Sequence, residues 1–254
     1  MTQVNRKNNL LPKEFKDGLN LSMGTDAAHD IDIESGSIND DSQSMVLTLG
    51  AGITREIDAA YGTGNGGLFS GASIGANSII YPFLVNDGGT INVGFDDNVS
   101  GSNIPGTVTH KQLIGFLPLN SSSDICAFLM RSHLIQWLKQ SERNIISGMA
   151  ANSWLSQDIT SFIPNGYVKN VLFGGLMTSG GHYLYINGEV DYSTTHLQVI
   201  YCINKSGVGD QHLHSWGSES EILWVPITDD NTYRMYATSY TADVKLRGIK
   251  MKWA

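Results

Sequence analysis

Residues 53–71 read ITREIDAAYGTGNGGLFSG, an amphipathic half that runs into five glycines within ten residues. Ile53 and Ile57 lie four apart, as do Glu56 and Ala60. That spacing predicts one or two helical turns that bury the isoleucine pair and leave Arg55 and Asp58 in water. The second half cannot be helical. Gly62, Gly64, Gly66 and Gly67 carry no Cβ and admit positive φ, and Asn65 is the next most tolerant residue, so a tight structural turn is expected. Gly62, Gly64 and Gly67 also satisfy G-x-G-x-x-G. A dinucleotide site needs that motif between a strand and a helix, whereas here the helix-like piece comes first and no Lys-Ser or Lys-Thr closes a P-loop. The glycines therefore predict a corner, not a phosphate cradle.

Composition extends this reading to the whole chain. With 254 residues, 28 glycines and only 16% charged residues, the protein favours many short strands joined by tight turns, in one large or two modest domains. A net charge of -8 and a pI near 5.2 argue against general affinity for DNA or RNA, because phosphate binding needs concentrated Lys and Arg. No apolar run is long enough to span a membrane and the N-terminus has no signal-peptide core, so the expectation is a protein made in the cytoplasm and not secreted. Cys126 and Cys202 lie far apart, each within an apolar run, and read as buried thiols.

Taken in order, residues 1–18 are polar and weakly basic, and read either as a disordered leader or as an arm that orders against a neighbour, with Leu10, Leu11 and Phe15 as its anchors. A first β-domain is expected over 19–145. In it Ile31 and Ile33 alternate with Asp30, Asp32 and Glu34, which makes the acids a solvated strand face, since neither EF-hand spacing nor its closing Glu is present. Ser78 to Asn86 reads as a strand that Pro82 confines to an edge or bulge. Asp87-Gly88-Gly89 signals a hairpin whose return strand puts Ile91, Val93 and Phe95 on one side. Residues 126–139 fit helix or strand, and 141–158 read as an irregular junction. A C-terminal β-sandwich is expected over 146–254, with strand-length runs such as Val168 to Met177 and a hairpin signal at Asn187-Gly188.

Several of these segments together resemble a module of bacteriophage and prophage tail-fibre-type proteins. The residues that carry the resemblance are Asp30-Ile31-Asp32-Ile33 with Gly36 and Asp40-Asp41-Ser42, the 54–71 segment, and Thr109-His110-Lys111 with Ile114-Gly115. A weaker match continues through Ile163-Pro164-Asn165-Gly166 to Gly248 and Trp253, so that most of 19–254 is covered. The chain departs from the pattern at Phe69, where a polar residue is more usual, and across 131–152. The resemblance implies an all-β fold with an N-terminal arm, a first β-domain and a C-terminal jelly-roll-like β-sandwich. It also implies a homotrimer in the virion, with no enzymatic activity and no cofactor. Its partners would be other virion proteins, held through the arm, and host-surface carbohydrate or protein, with no nucleic acid and no membrane insertion. A head fibre or capsid decoration protein is the alternative.

Candidate chemistry concentrates late in the chain. His212 and His214 form an H-x-H pair which, on a strand, would present two imidazoles to one ion, with Asp210 and His196 as further donors. No third ligand can be assigned from spacing. A small metal-dependent sandwich enzyme is therefore the less favoured reading, and histidines lining a polar loop or a subunit contact the favoured one. Trp216 lies in the same glycine-bounded loop. An aromatic ring beside His and Asp is a common sugar-stacking arrangement, so Trp216, His212, His214 and Asp210 are the candidate receptor-binding residues, with a packed loop tryptophan as the alternative. Nucleophilic catalysis has no support, since there is no G-x-S-x-G elbow and no Cys beside a His.

Overall fold

The computed structural model describes residues 15–132 continuously and, between 134 and 251, the strands given below. Two compact units divide the chain between His133 and Leu134. All regular structure among the described residues is β.

The strands of the first unit are β1 (Lys16–Gly18), β2 (Leu21–Met23), β3 (Asp30–Ile33), β4 (Gly36–Asn39), β5 (Val46–Leu49), β6 (Ile53–Ala60), β7 (Gly66–Leu68), β8 (Ile79–Asp87), β9 (Thr90–Asp96), β10 (Val108–Leu113), β11 (Leu117–Pro118) and β12 (Phe128–Arg131). One antiparallel sheet has the order β1-β4-β5. A larger one runs β10-β8-β9-β7-β6-β3-β2, with β11 continuing along β8 where β10 stops. Leu47 of β5 and Ile31, Ile33, Ile57, Leu84, Val93 and Phe95 of the larger sheet are fully or almost fully buried and form the core. Of residues 1–18, expected to form an arm or a disordered leader, Lys16–Gly18 form β1, with Lys16 opposite Ile38 in the β1–β4 ladder, and 1–14 lie outside the described residues.

Residues 53–60 are the strand β6, not helical turns. Ile53, Thr54 and Ile57 are β-branched, and β3 supplies a complete ladder from Ile33↔Ile53 to Asp30↔Glu56. Two i,i+4 pairs in so short a segment do not offset the cost of helix nucleation. The Asp87–Thr90 hairpin forms as expected, with Gly88 and Gly89 both at positive φ, as a type I′ turn requires. Pro82 lies inside β8 at a break in the neighbouring strand. The ladder of β10 ends at Leu113↔Phe83 and that of β11 begins at Leu117↔Ile80. Between them Ile114 N–H donates to Pro82 O at 2.9 Å, and the proline nitrogen, which cannot donate, faces the same break.

In the second unit, β13 (Leu134–Trp137), β14 (Arg143–Met149), β15 (Trp154–Asp158), β16 (Val168–Met177), β17 (Leu184–Asn187), β18 (Ile200–Tyr201), β19 (His214–Ser215), β20 (Trp224–Pro226), β21 (Thr232–Ala237) and β22 (Ala242–Met251) are described. The long strand β22 is central. It pairs with β16 along one edge and with β13 and then β14 along the other, while β20 continues beyond β16. A separate sheet has the order β15-β21-β17, and β18 pairs with β19. Strand β16 matches its expected bounds, whereas 141–158, expected to be irregular, holds β14 and β15. Residues 189–192, the expected return strand of the Asn187-Gly188 hairpin, lie outside the described residues.

Candidate functional site

The glycine segment folds as a corner with an unusual connection. Parallel neighbours normally need a long crossover, yet β6 and β7 are parallel and only residues 61–65 join them. The chain doubles back, so that Gly66 returns to the level of Glu56 and Leu68 climbs again to Ala60. Gly62 and Gly64 make the reversal at φ +84° and +56°. Asn65 contributes its carbonyl to Glu56 N–H at 2.9 Å. A Cβ on Gly66 would fall on the Ala60 carbonyl oxygen, and one on Gly67 would lie 2.6 Å from the Phe95 ring. Gly62, Gly64 and Asn65 lie in the turn, whereas Gly66 and Gly67 open β7 and are fixed by close approach rather than by φ.

Polar and aromatic side chains brace this corner. Tyr61 tilts against Phe69 with ring centroids 4.8 Å apart, and its hydroxyl donates to Asp87 Oδ2 at 3.2 Å across the end of the sheet. Burial, with the Asp87 charge second, pushes the phenol up to about 12. Arg55 donates to Asn92 Oδ1 through Nε at 3.1 Å and through Nη2 at 2.5 Å. Phe69, at 1% exposure, lies over Gly94, where a Cβ would collide with the ring.

Buried carboxylates fasten the neighbouring loops. Asp40 accepts backbone N–H groups of Ser44 and Met45, both at 2.7 Å, together with the hydroxyls of Ser42 and Ser44 and His110 Nδ1 at 3.2 Å. Burial alone would raise its pKa. The donors outweigh that effect, led by Ser42 and Met45, and hold the carboxyl well below the usual range. Asp96, also buried, accepts Asn98 N–H, Asn103 N–H and Asn103 Nδ2 between 2.8 and 2.9 Å. Among the described residues Lys16 is the buried cation. Its Nζ donates to Ile114 O at 3.4 Å and Ser132 O at 3.5 Å, and desolvation lowers its pKa to about 7 against the opposing pull of Glu34. Carboxylates and an ammonium used in this way hold loops in place, and their hydrogen-bonding capacity is largely taken up by the chain itself. Among the described residues, no group of three His, Cys, Asp or Glu side chains is arranged to hold a metal ion.

Asp40-Asp41-Ser42 and Thr109-His110-Lys111 carry separate parts of the resemblance in sequence, and nothing in that reading joins them. The Asp-x-Ser-x-Ser spacing was a usable signal, because an aspartate that starts a turn accepts N–H groups from residues just ahead of it. Of the candidate receptor residues, His214 lies on β19, with its backbone paired to Tyr201, whereas Asp210, His212 and Trp216 lie outside the described residues. Cys126 is buried, and Cys202 lies outside the described residues. No protein-family model, curated protein or solved structure matches this chain.

Proposed function

We propose that the protein is a non-enzymatic virion structural component, a tail-fibre element that attaches a phage particle to carbohydrate on the host surface. One observation supports this above the others. The 54–71 segment, on which the resemblance to tail-fibre modules rests, forms the braced corner of the first unit, as suits a stiff support whose role is to position other surfaces. In this reading the second unit is a jelly-roll-like sandwich, three chains associate, and residues 1–14 reach other virion proteins. Trp216, His212, His214 and Asp210 meet the receptor in the second unit.

Antibodies against the purified chain, imaged on intact particles, test the assignment. Labelling at the distal tail together with blocked adsorption is the expected result. Labelling over the capsid shell would move the protein to the decoration class, and a monomer that turns over a small molecule would overturn both readings. Trp216→Ala is expected to lower attachment at least severalfold without changing assembly, and unchanged attachment would remove Trp216 from the contact surface.

A further inference from the structure

His29, at the entrance to β3, is surrounded by carboxylates from three separate elements. Its Nδ1 lies 3.2 Å from Asp26 Oδ2 in the β2–β3 turn and 3.8 Å from Asp58 Oδ2 on β6. Its Nε2 lies 3.7 Å from Asp124 Oδ1 in the loop that leads to β12. The backbone around it joins the same elements, because His29 O accepts Ile57 N–H at 2.9 Å and Ala28 O accepts Ile125 N–H at 2.8 Å. Further charge nearby is also acidic: Asp30 Oδ2 accepts Asp26 N–H at 3.0 Å, and Glu56 stands opposite Asp30 in the β3–β6 register. Arg55, the cation of β6, is bound to Asn92 instead. A neutral imidazole carries one N–H, so whichever tautomer forms, one ring nitrogen turns a lone pair toward a carboxylate. Only the imidazolium can donate from both nitrogens.

We infer that His29 is a protonation-controlled clasp: as the imidazolium it ties the 120–125 turn and β6 to the β2–β3 turn, and on losing its proton it releases the 120–125 turn into a more open state. Below the ordinary imidazole value of 6.5 the clasp is fully closed, and it weakens as pH rises through the raised value that Asp26, then Asp58 and Asp124, give the ring. The 29% exposure of His29 lets bulk pH reach it.

The test uses the full-length chain. Histidine C2–H titration by NMR, with the His29 resonance identified by its loss in His29→Gln, is expected to give a midpoint above 6.5 that falls in Asp58→Asn and in Asp124→Asn. Amide exchange of residues 119–126, corrected for intrinsic rates, is expected to be roughly fivefold faster at pH 8.5 than at pH 5.5, a factor of the size that exposed ion pairs produce. In Asp124→Asn that ratio should shrink toward one. A midpoint at or below 6.5, or equal corrected exchange at the two pH values in the native chain, would overturn the clasp. Neither result bears on whether the protein belongs to a tail.

Discussion

His110 and His29 each meet aspartate, but in contrasting surroundings. His110 meets one carboxylate, that of Asp40, which is 1% exposed and already accepts two backbone N–H groups and two hydroxyls. His29 stands among three carboxylates whose side chains are 59%, 43% and 36% exposed. Burial sets what each arrangement can do. At Asp40 water does not readily replace a lost donor, so the cluster is structural. Around His29 water competes for every group, so each contact is weak and depends on a proton that is exchanged near neutrality.

The largest expected effect breaks the buried side of this contrast. Asp40→Ala leaves Ser44 and Met45 N–H groups without their acceptor and should lower the unfolding free energy by about 3 kcal/mol or more in urea titration. A loss below about 1 kcal/mol would mean that the 40–45 turn is held by something else. In the native chain the contribution of Asp40 is complete above pH 3.8 and fades as pH falls toward its depressed value.

Lys16 sharpens the contrast from the opposite charge. Its folded pKa of about 7 lies below the ordinary 10.5, so the unfolded chain binds the extra proton between these values and stability from this group rises with pH across that window. Lys16→Met should therefore stabilise the protein by about 2 kcal/mol at pH 6, with the gain shrinking toward zero near pH 10.5. A variant that is destabilised equally at both pH values would show that the two carbonyl contacts of Nζ outweigh its desolvation. The smallest effect belongs to the exposed side. His29→Gln should cost less than about 1 kcal/mol at pH 5.5 and nothing measurable at pH 8.5, followed by thermal unfolding at the two pH values.

What the sequence disclosed, and what it hid, divides along similar lines. Local chemistry was legible: Gly88-Gly89 specified a hairpin, alternation put Val93 and Phe95 on the buried face, and 168–177 announced a strand. The β6 strand was misread because two isoleucines four apart suit a helix as well as they suit a strand with a partner, and the partner, β3, is a tertiary fact. The return of Gly66 beside Glu56 was equally hidden, since glycine content signals a turn but not the parallel pairing that follows it. The buried position of Phe69 was hidden too, since it depends on Gly94, a residue distant in sequence whose missing Cβ makes room for the ring. The His29 cluster draws on positions 26, 58 and 124, which no spacing rule connects.

Amide hydrogen exchange at pH 7, resolved to single residues, separates the two histidine environments most directly. Ser44 and Met45, whose N–H groups point to the buried Asp40 carboxylate, should exchange only through near-global unfolding, while Ile125 beside His29 should exchange through a local opening at least tenfold more often. Equal protection at the three amides, or faster exchange at Ser44 and Met45, would contradict the claim that burial makes one aspartate–histidine contact a fixed support and leaves the other responsive.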